Sequence, residues 1–401
     1  MAARRREVAD SSNDLFTPAP LPVTRLDDVG RVACLRLIRS ENVGPVTFRE
    51  LINRYGSARA ALEAIPEIAR RAGRSRPLKV CPADAAEAEL EAAQTAGAEP
   101  VFTIEPGYPP ALAAIENPPP LLYVRGRLAT LSAEMIAIVG SRECSANGIT
   151  MAQVLAKGLG EAGYVIASGL ARGIDGAAHR TALRSGTVAV LAGGIDHVYP
   201  PENRDLFQLI PDSGGAIVTD MPPGYQPRAR DFPRRNGMIS GMSRGVVVVE
   251  ATVRSGGMVT ARLATEQGRE VFAVPGHPLD SRAEGPNRLI RNGATLITSA
   301  QDIIDDLGPI TGREPFRVAE ASAPLYSAPS RPTETAVAPP PTGDSVVNDA
   351  VLAALGPSPV HVDTLIRATG LPSRAVQIAL MDLDLAGHIV RLGGQLVARR
   401  V

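Results

Sequence analysis

Small residues and arginine recur in this chain wherever an apolar run breaks off, and that pairing is the chemistry of anion binding. Met135 to Val139 is apolar and stops at Gly140, Ser141 and Arg142; Tyr164 to Ala167 stops at Ser168 and Gly169, with Arg172 close behind. Glycine lets the main chain approach a ligand, backbone N–H groups and helix N-termini favour negative charge, and a guanidinium forks onto phosphate oxygens. QPRARDFPRRNG (226–237) adds Arg228, Arg230, Phe232, Arg234, Arg235 and Asn236, and VRSGGM (253–258) adds Arg254, Ser255 and Gly256. Between Pro222 and Arg254 the basic residues are Arg228, Arg230, Arg234, Arg235, Arg244 and Arg254, against Asp231 and Glu250. Arginines spread over several loops suit a polyanion better than one small phosphate, and Phe232 among them could stack on a base. A plain alternative stands beside this reading: charged loops are often only solvated, and Phe232 beside Pro233 could belong to the core.

Other chemistries find less support. The turn GSRECSANG is not GxGxxG, the second apolar run ends in Ser168-Gly169 where a ribose-binding carboxylate would stand, and no GxxxxGK[ST] occurs. No cofactor is therefore expected. Asp175 and His179 are four residues apart and could share a helical face toward a metal, but no third ligand is evident, and such a pair is more often an N-terminal cap plus a packed histidine. Glu266 with Thr260 lacks a partner carboxylate, so no catalytic residue is assigned. Cys34, Cys81 and Cys144 are odd in number and widely spaced, which suits neither a disulfide framework nor a zinc module and fits a reducing cytoplasm.

The elements that must position these loops read as an alternation. After Met135–Val139, residues 147–162 carry apolar positions at helical spacing, and further strands are expected at 164–167, 187–191, 216–219, 246–249, 271–274 and 295–297. Helices are expected near 177–184, 204–210, 239–243 and 259–266, and crossovers of this length make the strands parallel and right-handed. The fold class is α/β, a Rossmann-like doubly wound, mostly parallel sheet, with the two strand candidates of 101–127 at its edge. Successive loops then converge at one sheet edge.

The 401 residues divide around this core. Residues 1–28 read as a disordered tail and 29–75 as a small helical module whose Val43-Gly44-Pro45 turn resembles helix-hairpin-helix and SAM-like domains; that turn fits either packing or backbone contact with phosphate. The core is 76–308. Residues 309–344, rich in Pro and Ala, read as a linker, and 345–401 as a winged helix whose two final strands meet at Gly393-Gly394. Ser373, Arg374 and Gln377 open its third helix, but Asp382 and Asp384 follow, which opposes entry into a DNA groove and makes a protein contact as good a reading. Lys plus Arg and Asp plus Glu are 42 each, so a nucleic-acid site must be a local patch. The first 23 residues contain no apolar stretch long enough for a signal h-region, no later segment approaches 18 uninterrupted apolar residues, and no membrane partner is expected.

These residues also carry a resemblance. The motifs YPPALAAIENPPPLLYVRG, IVGSR, SGLARGID, GGIDHVYPPEN, FPRRNGMISGMS, VVEATVRSGGMVTA, GREVFAVPG and GPNRLIRNGA together resemble the DprA/Smf family, the DNA-processing proteins of bacterial transformation. The resemblance, which runs from about Val29 to the C-terminus, implies a homodimeric core that binds single-stranded DNA without chemistry and loads RecA onto it. It puts Gly140, Ser141 and Arg142 on one phosphate, Arg235 and Asn236 on others, and Phe232 beside a base. The chain departs from the family's pattern at Asp231, often a histidine there, at Asn236-Gly237 and at Ser255-Gly256-Gly257; Asp231 would repel a phosphate close to it. Two other classes stay open: a nucleoside-monophosphate phosphoribohydrolase on a related sheet, and a regulator reading duplex DNA through the winged helix.

Overall fold

The computed structural model describes residues 25–74, 76–308, 345–392 and 395–400. The expected tail to residue 24, the linker 309–344 and the Gly393-Gly394 turn lie outside these. The chain opens with three helices, α1 (Asp28–Ile38), α2 (Pro45–Tyr55) and α3 (Ala58–Arg71). Asp27 caps α1 by accepting from Gly30 N, and Pro45 starts α2, where its missing N–H costs nothing. The sequence assigns residues 83–95 to the core, but α4 (Ala83–Thr95) packs on α1, and its Ala86 and Ala93 join the apolar cluster of Leu35, Leu51 and Ile65. The helical module therefore has four helices.

The core alternates strands and helices. In order come β1 (Glu99–Phe102), α5 (Pro110–Ala113), β2 (Leu121–Gly126), β3 (Met135–Val139), α6 (Ala146–Glu161), β4 (Val165–Ser168), α7 (Ile174–Ala182) and β5 (Thr187–Val190). There follow α8 (Arg204–Asp212), β6 (Ala216–Thr219), α9 (Asp231–Met242), β7 (Gly245–Val248), α10 (Gly256–Glu266), β8 (Glu270–Ala273), α11 (Glu284–Arg291), β9 (Thr295–Leu296) and α12 (Ala300–Leu307). The sheet order is β1-β2-β6-β5-β4-β3-β7-β8-β9, parallel from β6 through β9, with β1–β2 and β2–β6 antiparallel at one edge.

Strand alternation fills both faces. Ala137, Val139, Val246 and Val248 pack toward Met238, Ile239, Ala261 and Ala264 of α9 and α10, whereas Ile136, Ile138 and Val247 face Ala152, Leu155, Ala178 and Ile303 of α6, α7 and α12. Both faces of the central strands are thus buried, which is why they read as unbroken apolar runs. The four-helix module is tied to the β1–β2 edge by polar contacts: the Tyr123 hydroxyl of β2 donates to Glu89, which Arg39 holds in a bidentate pair within the module, and Arg31 binds Glu105 at 3.1 Å.

The last segment carries α13 (Ser345–Ala354), β10 (Val360–His361), α14 (Val362–Thr369), α15 (Ser373–Leu385), β11 (Ile389–Leu392) and β12 (Leu396–Arg399). Its three strands pair antiparallel in the order β10-β12-β11, and Val351, Leu365, Val376, Leu380, Ile389 and Val397 form its own core. This is a winged helix.

Candidate nucleic-acid interface

The C-terminal ends of β3, β4 and β5 open on one side of the sheet, and the first turn of α9 closes over them. A cleft of about 180 Å³ lies there, lined by Arg142 after β3, Gly169 and Arg172 after β4, Gly193, His197, Tyr199 and Glu202 after β5, and Phe232 and Arg235 of α9. Three loops and one helix thus bring three arginines and two aromatic rings to one place, at the strand ends where open α/β sheets hold ligands.

Phe232 sits between cations. The Arg142 and Arg235 guanidinium carbons lie 5.6 and 5.7 Å from its ring centre, and Tyr199 meets it edge to face at 6.0 Å. Its exposed part can stack on a planar ring while the flanking guanidiniums hold an anion. Arg142 is exposed, and Arg172 makes a solvent-facing pair with Glu202 at 3.5 Å, which a phosphate could displace.

Arg235 is different. It is buried; its guanidinium donates to Gly169 O and, at 2.9 Å, to Val190 O, and its Nε donates to Asn236 Oδ1 at 3.1 Å. Burial, with Arg142 adding to it, brings its pKa down to about 10 against the opposing pull of Asp175, so it stays charged at neutral pH. It forms the floor of the cleft and fixes the loops after β4 and β5 relative to α9.

The loop after β4 is held in a strained shape. Leu170 has φ +56 and is fully buried, a conformation that non-glycine residues rarely adopt without support. Asn203 Nδ2 donates to Leu170 O at 2.9 Å and Ala171 O at 3.0 Å, and Asp175 accepts from Gly169 N at 3.1 Å and Ala171 N at 3.4 Å. The Asp175 carboxylate is thus engaged by the loop, not offered to a metal, and His179 Nδ1 bonds the Thr187 hydroxyl at 2.7 Å. Among the described residues no three His, Cys, Asp or Glu side chains gather as a metal site would require.

At Gly173 the loop after β4 meets the loop after β3. Gly173 has φ +75 and ψ −123, and a Cβ there would fall 2.3 Å from Ser141 O. Gly173→Ala is expected to cost about 2–3 kcal/mol through that clash and the backbone region it forbids. Urea unfolding reads the loss, and an unchanged midpoint would show that the two loops are not interlocked.

Several expected contacts take other roles. The Ser168 hydroxyl donates to Ile138 O at 2.6 Å and is fully buried, so it braces β3 against β4 and faces no ligand. Asn236 is buried, accepting from Arg235 and donating to Gly256 O at 3.2 Å; Asn236 and Gly256 strap α9 to α10. Arg234 pairs with buried Asp220 at 2.6 Å, outside the cleft. Gly140 packs against Ile174 and Glu250 O, and the Ser141 hydroxyl accepts from Glu143 N at 3.1 Å; both shape the turn that presents Arg142 and do not line the cleft. Arg228, Arg230, Arg254 and Ser255 are also outside it, the three arginines being exposed.

Asp231 does not line the cleft. It is buried and accepts from Arg228 N at 2.7 Å and the Tyr225 hydroxyl at 2.9 Å; burial works to raise its pKa, but these bonds and the nearby Arg230 and Arg228 outweigh it and hold the carboxyl below its ordinary range. The sequence reads 226–237 as a loop with a helix only from 239, yet α9 starts at Asp231. Pro233 hides this start, although in a first turn proline removes no helical hydrogen bond. Reasoning from sequence also missed Gly193, His197, Tyr199 and Glu202; they follow β5, and the strand-end rule that selected the loops after β3 and β4 selects this one too.

Known proteins align with all three parts. The family described as DNA recombination-mediator protein A matches residues 99–308, the DprA-like N-terminal HHH domain 28–92, and the DprA winged helix domain 334–395. Protein Smf of Escherichia coli (strain K12) is 38% identical over 295 residues, 73% of this chain and 75% of its own length. The DNA processing protein DprA of Streptococcus pneumoniae (strain ATCC BAA-255 / R6) is 44% identical over 199 residues, 49% of this chain and 70% of its own. The X-ray structure of DprA from Streptococcus pneumoniae superposes with a TM-score of 0.59 at 32% identity, covering 71% of this chain and 99% of that one.

Proposed function

This chain belongs to the DprA/Smf family, and on that premise we propose that it binds single-stranded DNA without sequence preference and passes it to the recombinase RecA during bacterial transformation. The observation that carries this reading is the convergence of Arg142, Arg172, Arg235 and Phe232 on one cleft. Duplex bases are stacked inside the helix, whereas a single strand can turn one base onto Phe232 and Tyr199 while its phosphates run past Arg142 and Arg172. Arg228 and Arg230, exposed just before α9, extend the positive track. Residues Gly140, Ser141, Ser168, Gly169, Asn236, Ser255 and Gly256 act in this reading as supports and close-packing positions.

The cleft works as a binding surface. Among the described residues the one carboxylate lining it, Glu202, is exposed and paired with Arg172, which does not suit a general acid or base. The protein acts in the cytoplasm as a homodimer through its α/β core, without a cofactor.

Titration of labelled oligonucleotides against salt tests the reading. With about four phosphates neutralised, log affinity falls with log salt at a slope of roughly 3, since each single-strand contact contributes about 0.7. Arg142→Ala with Arg172→Ala lowers the slope by about 1.4 and weakens all sequences alike. A salt-insensitive affinity, or equal affinity for duplex and single strand, would overturn the DNA reading. The RecA step fails separately if RecA nucleates no faster on oligonucleotide bound by this protein than on bare oligonucleotide.

A further inference from the structure

The winged helix does not hang free. Five consecutive residues of α15, Ala379 to Leu383, are buried, more than one face of a helix on its own small domain can hide. Ala379, Leu380 and Leu383 face the winged-helix core, while Met381 and Leu385 join the apolar cluster of the N-terminal helices, among Leu51, Ile52, Ile65 and Ile68. Polar groups surround that plug. Arg391 makes a bidentate pair with Glu50 at 3.0 and 2.9 Å and approaches Asp384 at 3.5 Å; Thr47 donates to Asp384 at 2.8 Å; Arg54 meets Asp382 at 3.4 Å. Backbone carbonyls are claimed as well: Asn42 Nδ2 donates to Leu385 O at 2.9 Å, and Arg74 to Ala386 O at 3.2 Å.

From this packing we infer that the α2–α3 face is a latch for the winged helix of the same chain, closing the molecule end to end and withholding α15 from nucleic acid. In a winged helix that reads duplex DNA, the third helix must turn the side opposite its own core into a groove about 12 Å wide. Here that side of α15 carries Met381, Asp382 and Leu385 and is occupied by α2 and α3. Only Ser373, Arg374 and Gln377 at its start stay exposed. Asp382 and Asp384, which would repel a phosphate, instead meet arginine and threonine. The occupant is the chain's own winged helix because the segment 309–344 already tethers it, raising its local concentration to about the millimolar range without any new contact.

The test uses the full chain with a protease site placed between residues 320 and 340. After cleavage the C-terminal fragment is expected to co-elute with the remainder in size-exclusion chromatography at micromolar concentration. Arg391→Glu, which sets a carboxylate against Glu50 and Asp384, releases it, weakening retention by at least about tenfold. A second variant covers the case in which the charge change impairs folding: Thr47→Cys with Asp384→Cys oxidises within one chain, so the cut fragments stay joined until reduced, while neither single cysteine does so. Release of the wild-type fragment on cleavage together with failure of the cysteine pair to close would overturn the latch. A cysteine bond that joins two chains into a species of twice the mass would overturn the assignment of the occupant to the same chain.

Discussion

Replacing Arg235 with methionine is expected to lower the free energy of unfolding by about 3–5 kcal/mol, the range for removing one member of a buried charge set. The reason lies in what the guanidinium holds. It supplies the donor for Gly169 O and Val190 O, and it is the cation facing buried Asp175. Methionine fills much of the space but leaves two carbonyls short of a donor and a carboxylate uncompensated. Lysine should recover little, because one ammonium on a flexible stem cannot serve both carbonyls and also reach Asn236 as the planar fork does. Urea unfolding reads the effect as a shift in midpoint at constant slope. The contrast with Arg142 separates floor from rim: Arg142→Ala changes the salt dependence of DNA binding and leaves the midpoint nearly unmoved, whereas Arg235→Met moves both. If Arg235→Met unfolds at the wild-type midpoint, Arg235 is not the floor of the cleft, and its role must be reassigned to the ligand.

Strand positions were legible because burial on both faces leaves a simple trace. The run Met135–Val139 matches β3 residue for residue, and Ala216–Thr219 matches β6. The loops chosen after β3 and β4 do supply Arg142, Gly169 and Arg172 to the cleft. What the sequence hides is direction. Ser168 and Arg234 have the chemistry of phosphate ligands, yet one hydroxyl finds Ile138 O and one guanidinium finds Asp220, partners remote in sequence that only the assembled sheet brings near. Asn236 is spent in the same way on Gly256 O. The acidic end of α15 shows the converse. Asp382 and Asp384 made DNA contact a poor prospect and left a protein contact open, but nothing in the spacing of 345–401 says that the contacted surface is the helical segment 42–74 of the same chain.

The loop after β5 was missed for a physical reason as well. GGIDHVYPPEN carries no arginine, and its contribution is shape: Asn203 props the strained Leu170 turn, Tyr199 adds an aromatic edge to Phe232, and Gly193 lies in the wall. Charge signals a polyanion site; the residues that give it form are ordinary in composition.

Acid should weaken this fold between pH 6.5 and 3 through a single histidine under the cleft. His179 is fully buried on α7, and the Thr187 hydroxyl gives its proton to Ile166 O at 2.7 Å, so His179 Nδ1 must be the protonated nitrogen that donates to Thr187. The ring is neutral. Charging it would place a second cation beside Arg235 in a fully buried site, and burial first, Arg235 second, bring its pKa down to about 3. An unfolded histidine takes up its proton near pH 6.5, so below that pH the unfolded chain binds more protons than the folded one. The contribution is complete above pH 6.5 and is lost as pH falls toward 3, reaching about 4–5 kcal/mol at roughly 1.4 kcal/mol per pH unit. Asp175 and Asp220, whose pKa values burial raises, bind protons first in the folded state and oppose the trend, so the informative quantity is the difference between wild type and His179→Gln. Glutamine can keep a donor toward Thr187 but cannot take up a proton. Its stability should start lower at pH 7 and stay flatter down to pH 4.5, the two curves converging in acid. Parallel curves over that range would mean that His179 is already charged, or reached by solvent, in the folded protein.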